Sequence, residues 1–203
     1  MTRALADLSW PHRTARLALR PARREDVEAT WRYRGLPEVV QWVTSAPADL
    51  EAYRRIYLEP DRLPRTLLIE RDGEVVGDLM VRVEDAWSQA EVVERAKGVQ
   101  AEIGWCLDPR VHGHGYATEA VVELLRICFA ELGLHRVVAY CFADNEPSWR
   151  LMERVGMRRE MATVADSLHR SGRWLDGFGY ALLAEEWRGA HGGAHREGEL
   201  SAY

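Results

Sequence analysis

Residues 14–21 (TARLALRP) alternate, with Leu17 and Leu19 on one side and Arg16, Ala18 and Arg20 on the other, the period of a half-buried strand. The period then changes. Val27 and Trp31 stand four apart within residues 25–34, residues 37–43 follow a Gly-containing break, and Ser45 precedes Pro47 as an N-cap would, so two or three short helices are expected. Residues 66–70 and 74–83 read as strands paired through a hairpin, because Asp72-Gly73 between apolar runs suits a tight turn. Residues 85–100 are polar and long for a hairpin connection, which makes them a surface excursion or a short helix. Residues 101–107 (AEIGWCL) read as a further strand. Residues 116–132 read as a helix, since Val121, Leu124, Leu125, Cys128 and Leu132 recur at helical spacing and Gly133 stops them. A strand over 136–142, a helix over 147–155 ended by Gly156, and an antiparallel pair over 158–164 and 174–183 follow.

This order predicts a mixed α/β (α+β) domain: a mostly antiparallel sheet of about seven strands with helices on both faces. The expected division is an N-terminal extension over 1–13, one domain over 14–187 and a Gly- and His-rich, mobile tail over 188–203.

Composition narrows the function classes. A chain of 203 residues with 47% hydrophobic content can bury one full core. Its net charge of −5 supplies no basic field to attract nucleic acid or an anionic membrane surface. No stretch approaches a membrane helix, and residues 1–11 have no apolar signal core, so a cytoplasmic protein is expected. Cys106, Cys128 and Cys141 show neither metal spacing nor a disulfide framework.

The most informative stretch is Arg110-Val111-His112-Gly113-His114-Gly115-Tyr116-Ala117, wedged between a strand end and a long helix. The first turn of a helix leaves N–H groups unpaired and carries about half a positive charge. Glycines let an anion approach, so the junction suits a phosphate or serves as a tight turn. No Gly-Lys-Ser/Thr follows and the third glycine of a dinucleotide fingerprint is missing, which disfavours NTP and NAD. His112 and His114 lack a third ligand nearby, so no metal is expected. The eight tryptophans lack the basic interleaving of a nucleic-acid platform.

Arg110-x-x-Gly113-x-Gly115 resembles the Arg/Gln-x-x-Gly-x-Gly/Ala motif of the GCN5-related N-acetyltransferase (GNAT) superfamily. Glu102-Ile-Gly-Trp-Cys-Leu-Asp-Pro109, Gly115-Tyr-Ala-Thr-Glu-Ala120, Gly133-Leu-His-Arg136, Asn145-x-x-Ser148 and Gly172-Arg-Trp-Leu-Asp176 are similar to its branch of ribosomal-protein N-terminal acetyltransferases. The resemblance implies an acyl-CoA donor, acetyl-CoA first, whose pantetheine arm lies between splayed strands at 101–107 and 136–142. It further implies that Arg110 and the amides from His112 through Gly113, His114, Gly115 and Tyr116 to Ala117, with Thr118, hold the pyrophosphate. The backbone of Trp105, Cys106 and Leu107 would hold the pantetheine, and Asn145 and Ser148 the reactive end. Homodimerisation is a family-level expectation.

Amine attack on a thioester needs a neutral nucleophile, a stabilised oxyanion and a protonated thiolate. Glu102 is the first candidate base and otherwise an ion-pair carboxylate, with Glu160 and Asp166 in reserve. Backbone N–H groups near an irregularity at Gly104 would serve the oxyanion. Many family members protonate the thiolate with a tyrosine seven residues after the asparagine, but that position is Met152 here. Ser148 is the alternative, or it caps a helix. Cys106 and Cys141 have no activating neighbours in sequence and read as buried thiols. The acceptor would be a protein N-terminus or a small amine. A longer donor such as succinyl-CoA and a non-catalytic acyl-CoA sensor are the competing readings.

Overall fold

The computed structural model describes residues 4–191. Eight strands form one mixed sheet in the order β1-β2-β3-β4-β5-β6-β8-β7. β1 (His12–Arg13) and β2 (Ala18–Pro21) precede the short helices α1 (Val27–Arg34), α2 (Pro37–Val40) and α3 (Leu50–Tyr57). β3 (Thr66–Arg71) and β4 (Glu74–Glu84) form the hairpin that the sequence announces. Its turn residues Asp72 and Gly73 both have positive φ, 52° and 82°, the conformation that Asp-Gly tolerates. The excursion after β4 holds only a 3-10 turn and α4 (Val93–Ala96).

β5 (Gln100–Leu107), α5 (Tyr116–Arg126) and β6 (Arg136–Phe142) form the crossover that places β5 and β6 parallel, and α6 (Glu146–Arg154) follows. β7 (Arg158–Leu168), β8 (Trp174–Leu183) and α7 (Ala184–His191) complete the described chain. The main core lies where Val81, Ala101, Ile103, Val137 and Ala139 meet Ala120, Val121, Leu124 and Leu125 of α5. A smaller cluster, Tyr33, Val39, Leu68, Val75 and Cys106, seats α1 and α2 on the opposite face.

Several boundaries differ from expectation for identifiable reasons. The helix at residue 50 is capped by Asp49, whose carboxylate accepts the Ala52 N–H at 2.7 Å, and not by Ser45. α5 ends in a π turn over Ile127–Glu131, a wider turn that turns the consecutive residues Ile127, Cys128 and Phe129 all into the core. β7 continues past Val164 as an edge strand exposed along most of its length, so no alternation marks it. The N-terminal extension adds the eighth strand and packs Leu8 and Trp10 on the core. Residues 184–191 are helical, with Trp187 against Phe129 at 5.7 Å between ring centroids; the rest of the expected tail, 192–203, lies outside the described residues.

Candidate active site

Two strands that begin as neighbours and then part create the site. β5 and β6 pair at Gln100↔Arg136, Ala101↔Val137 and Glu102↔Val138 and no further. Backbone direction alternates along a strand, so the groups left open beyond that point follow from the bonds that remain. Asp108 N–H goes to Val76 in β4, and Arg136 N–H to Val99 on the β5 side. The N–H groups of Trp105 and Leu107 therefore face the gap from β5, those of Tyr140 and Phe142 face it from β6, and those of Gly104 and Cys106 face β4. Of the expected pantetheine trio, Trp105 presents its backbone to the gap, the Leu107 carbonyl lies 3.3 Å from His112 Nε2, and Cys106 turns its backbone to β4.

At the wide end of the gap stands the glycine loop. Gly113 and Gly115 have φ of 79° and 78°, which L side chains rarely adopt, and this conformation carries the chain directly into α5. Gly115 is the N-cap and offers no side chain, so the Tyr116, Ala117 and Thr118 N–H groups have neither an i−4 partner nor a side-chain cap. The N–H run begins at Gly113 rather than at His112, whose N–H is given to the Pro109 carbonyl at 3.1 Å. Arg110 turns inward to Asp108, with Nε to Oδ2 at 2.9 Å, and those hydrogen bonds hold the buried Asp108 carboxyl below its usual range. His114 folds its Nδ1 to 2.8 Å from the His112 carbonyl, so both histidines serve the loop's shape. Thr118 Oγ1 accepts from Arg154 of α6 at 3.3 Å. Among the described residues no group of three or more His, Cys, Asp or Glu is arranged to hold a metal.

Glu102 sits at the closed end of the gap on the face that carries α1 and α2, paired with Arg82 of β4. Burial pushes its carboxyl up, Arg82 opposes, and Glu84 adds to the rise. The reserve acids are differently placed: Glu160 is tied to Arg136 and Arg158, and Asp166 is exposed beside Thr163 and Ser167. Gly104 lies in an unbroken register from Gly77↔Leu107 to Glu84↔Gln100, so the expected irregularity is not there. An extended strand paired at every position leaves no extra residue to bulge.

On the α6 side, Asn145 is the N-cap residue without a side-chain cap bond, and Ser148 stands near enough to the Cys141 thiol to favour its charged form. Burial raises that thiol to about 11 against the Ser148 contact, and it raises Cys106 to about 12, so neither is a ready nucleophile. Met152 is 1% exposed and belongs to the core. Residues without a motif gather beside the end of β6. Trp42, Phe142 and His169 form an aromatic group with centroids 5.4–6.1 Å apart, latched by His169 Nε2 to the Gln41 carbonyl at 2.9 Å. Tyr140, 53% exposed, lies over Gly179, where an added Cβ would come within 3.0 Å of its ring. The contacts of His169 with Gln41 and Trp42 join segments more than a hundred residues apart, and only the aromatic character of Trp42 and Phe142 is visible in the sequence.

A splayed parallel pair leads to a capless helix N-terminus, whose unpaired N–H groups suit an anion. The family model for the acetyltransferase (GNAT) domain matches residues 16–158. The chain is 30% identical to the uncharacterized N-acetyltransferase YnaD of Bacillus subtilis over 86% of this chain and 97% of that one. It is 25% identical to the L-amino acid N-acetyltransferase AaaT of Escherichia coli over 80% and 94%. The structure of Mycobacterium smegmatis RimJ in complex with CoA-disulfide superposes with a TM-score of 0.67 at 26% identity, over 87% of this chain and 89% of that one. The chain belongs to the GNAT acetyltransferase family and is an acyl-CoA-dependent N-acetyltransferase.

Proposed function

We propose that the chain moves an acetyl group from acetyl-CoA to a primary amine, a protein N-terminal α-amine or the amine of a small molecule, by direct attack in a ternary complex. The observation that carries this reading is the continuity of the β5–β6 gap with the Gly113–Thr118 N–H run, which suits a phosphate at one end and an extended amide chain at the other. Arg82, the cation beside Glu102, is neutralised by Glu84 and Glu102, and so does not favour an acidic acyl chain such as succinyl.

Each chemical demand has a group of this chain beside it. Glu102 takes a proton from the ammonium, directly or through water; the freed amine attacks the thioester carbonyl, forming the C–N bond. Gap-facing N–H groups such as that of Trp105 meet the oxyanion. The C–S bond then breaks as the nitrogen gives up its second proton to Ser148, at the α6 start, while the Ser148 hydroxyl passes its own proton to the departing thiolate, so that the serine ends as a hydroxyl and CoA leaves as a thiol. Trp42, Phe142 and His169 wall the acceptor, and holding amine and thioester together supplies much of the rate.

Calorimetric titration with acetyl-CoA, succinyl-CoA and CoA, followed by thiol release against peptides and small amines, tests the reading. Acetyl-CoA binding with thiol release for one acceptor class is expected. Binding without release across the panel would make the chain a sensor, and absence of binding to any CoA ester would overturn the donor assignment.

A further inference from the structure

Arg16, in the turn between β1 and β2, lies outside the glycine loop and yet reaches into it. Its Nη1 donates to the His114 carbonyl at 3.0 Å, its Nε donates to Glu119 Oε2 at 2.7 Å, and its Nη2 lies in ion-pair contact with the same oxygen at 2.6 Å. The Arg16 backbone N–H and the Thr14 hydroxyl both donate to Glu119 Oε1, at 2.9 and 2.5 Å. The guanidinium also covers the Tyr116 ring at 4.5 Å, and Arg71 lies 5.1 Å from the same ring. Burial pushes the Glu119 carboxyl up, but the hydrogen bonds from Thr14 and Arg16 outweigh it and hold the group below its usual range.

Two consequences follow for a pyrophosphate on this loop. In a trans peptide the C=O and the next N–H point opposite ways, so fixing the His114 carbonyl on Arg16 aims the Gly115 N–H away from Arg16. Glu119 occupies the first turn of α5, where an unpaired carboxylate competes with a bound anion for the helix's positive end. Arg16 cancels that charge through paired hydrogen bonds to the carboxylate.

We propose that Arg16 is a positioning residue for the phosphates of the donor: it orients the His114–Gly115 peptide and neutralises Glu119, leaving the loop amides and the helix end to the ligand. This rests on the acyl-CoA reading above. The test is calorimetry of acetyl-CoA and of acetyl-pantetheine, which lacks the phosphates, on wild type, Arg16→Ala, Arg16→Lys and the double variant Arg16→Ala/Glu119→Ala, with thermal unfolding as the check on folding. Arg16→Ala is expected to weaken acetyl-CoA about tenfold and to narrow its advantage over acetyl-pantetheine by the same factor. Arg16→Lys should recover part of the loss. The double variant should bind acetyl-CoA more tightly than Arg16→Ala, because the uncompensated carboxylate is gone. Equal weakening of both ligands, unchanged acetyl-CoA affinity, or no recovery in the double variant would overturn the proposal. Failure of wild type to bind acetyl-CoA would instead overturn the reading beneath it. Should Arg16→Ala unfold, Arg16→Lys against Glu119→Gln keeps the charge argument testable: the first should weaken acetyl-CoA and the second should not, and the reverse pattern would sink it.

Discussion

Glu102 answers to two opposed influences, burial that favours its protonated form and the Arg82 guanidinium that favours its charge. Because burial prevails, the acid limb of kcat/KM is expected above the ordinary carboxylate range: below that pH the base carries a proton and cannot take another. Removing the opposing charge with Arg82→Met should move the limb to still higher pH. Glu102→Gln should abolish it and lower kcat/KM by about 10²- to 10⁴-fold; a variant with an unaltered rate and limb would show that the carboxylate serves only its ion pair. Gly115 sets a second expectation. Its φ of 78° holds the chain where an L residue is strained by about 1–2 kcal/mol, and an added Cβ would touch Arg16 Nη2 at 3.6 Å. Gly115→Ala should therefore lower both the unfolding free energy, by about that amount in urea titration, and acetyl-CoA affinity. The two glycines and the bare helix start were legible because backbone freedom is written in residue type. The inward turn of Arg110 and the spent His112 N–H were not, because each depends on an acceptor that only the folded loop brings near.

Elements with local instructions were readable, and those fixed by distant partners were not. The Asp72-Gly73 hairpin, the amphipathic run of α5 and the Gly156 stop each lie within a few residues of their cause. α7 was missed because Gly189 and His191 look like tail composition, while its docking depends on Trp187 meeting Phe129 from another helix. The seating of α1 is likewise invisible in sequence. Arg34 at its last turn and Tyr33 converge on Asp78 of β4, which is 4% exposed; Arg34 Nε donates at 2.9 Å and Tyr33 Oη at 2.6 Å. A buried charge stripped of its partner costs about 3–5 kcal/mol, more than the pair itself contributes. Asp78→Ala is expected to lose that much in urea unfolding and to loosen α1 and α2 on their sheet face. A loss under about 1 kcal/mol would mean that water reaches Arg34 and replaces the carboxylate.

At the scale of the whole molecule, the central strands β4, β5 and β6 are paired in register until β5 and β6 part, and that discontinuity is where function and stability meet. The antiparallel run of β3, β4 and β5 followed from the sequence, whereas β1 and the pairing of β2 did not; the splay came from family resemblance alone, since nothing local in residues 101–107 or 136–142 tells a strand to leave its neighbour after three pairs. Open N–H groups have a direct readout in amide hydrogen exchange, which slows where a donor is bonded. In the free protein the Trp105, Leu107, Tyr140 and Phe142 amides should exchange quickly for residues so deep in the sheet, whereas Gly104 and Cys106, bonded to β4, should exchange slowly. With acetyl-CoA in excess, Trp105 and Leu107 should slow as the pantetheine amides take the place of the missing strand, and Gly104 and Cys106 should change only through the global rise in stability, about 2.7 kcal/mol at a hundredfold excess over Kd. Slow exchange at all four gap amides without ligand would mean that the strands close in solution. Fast exchange at Trp105 and Leu107 that persists with acetyl-CoA bound would place the donor elsewhere, and with it the assignment of Glu102 as the base beside the thioester would fall.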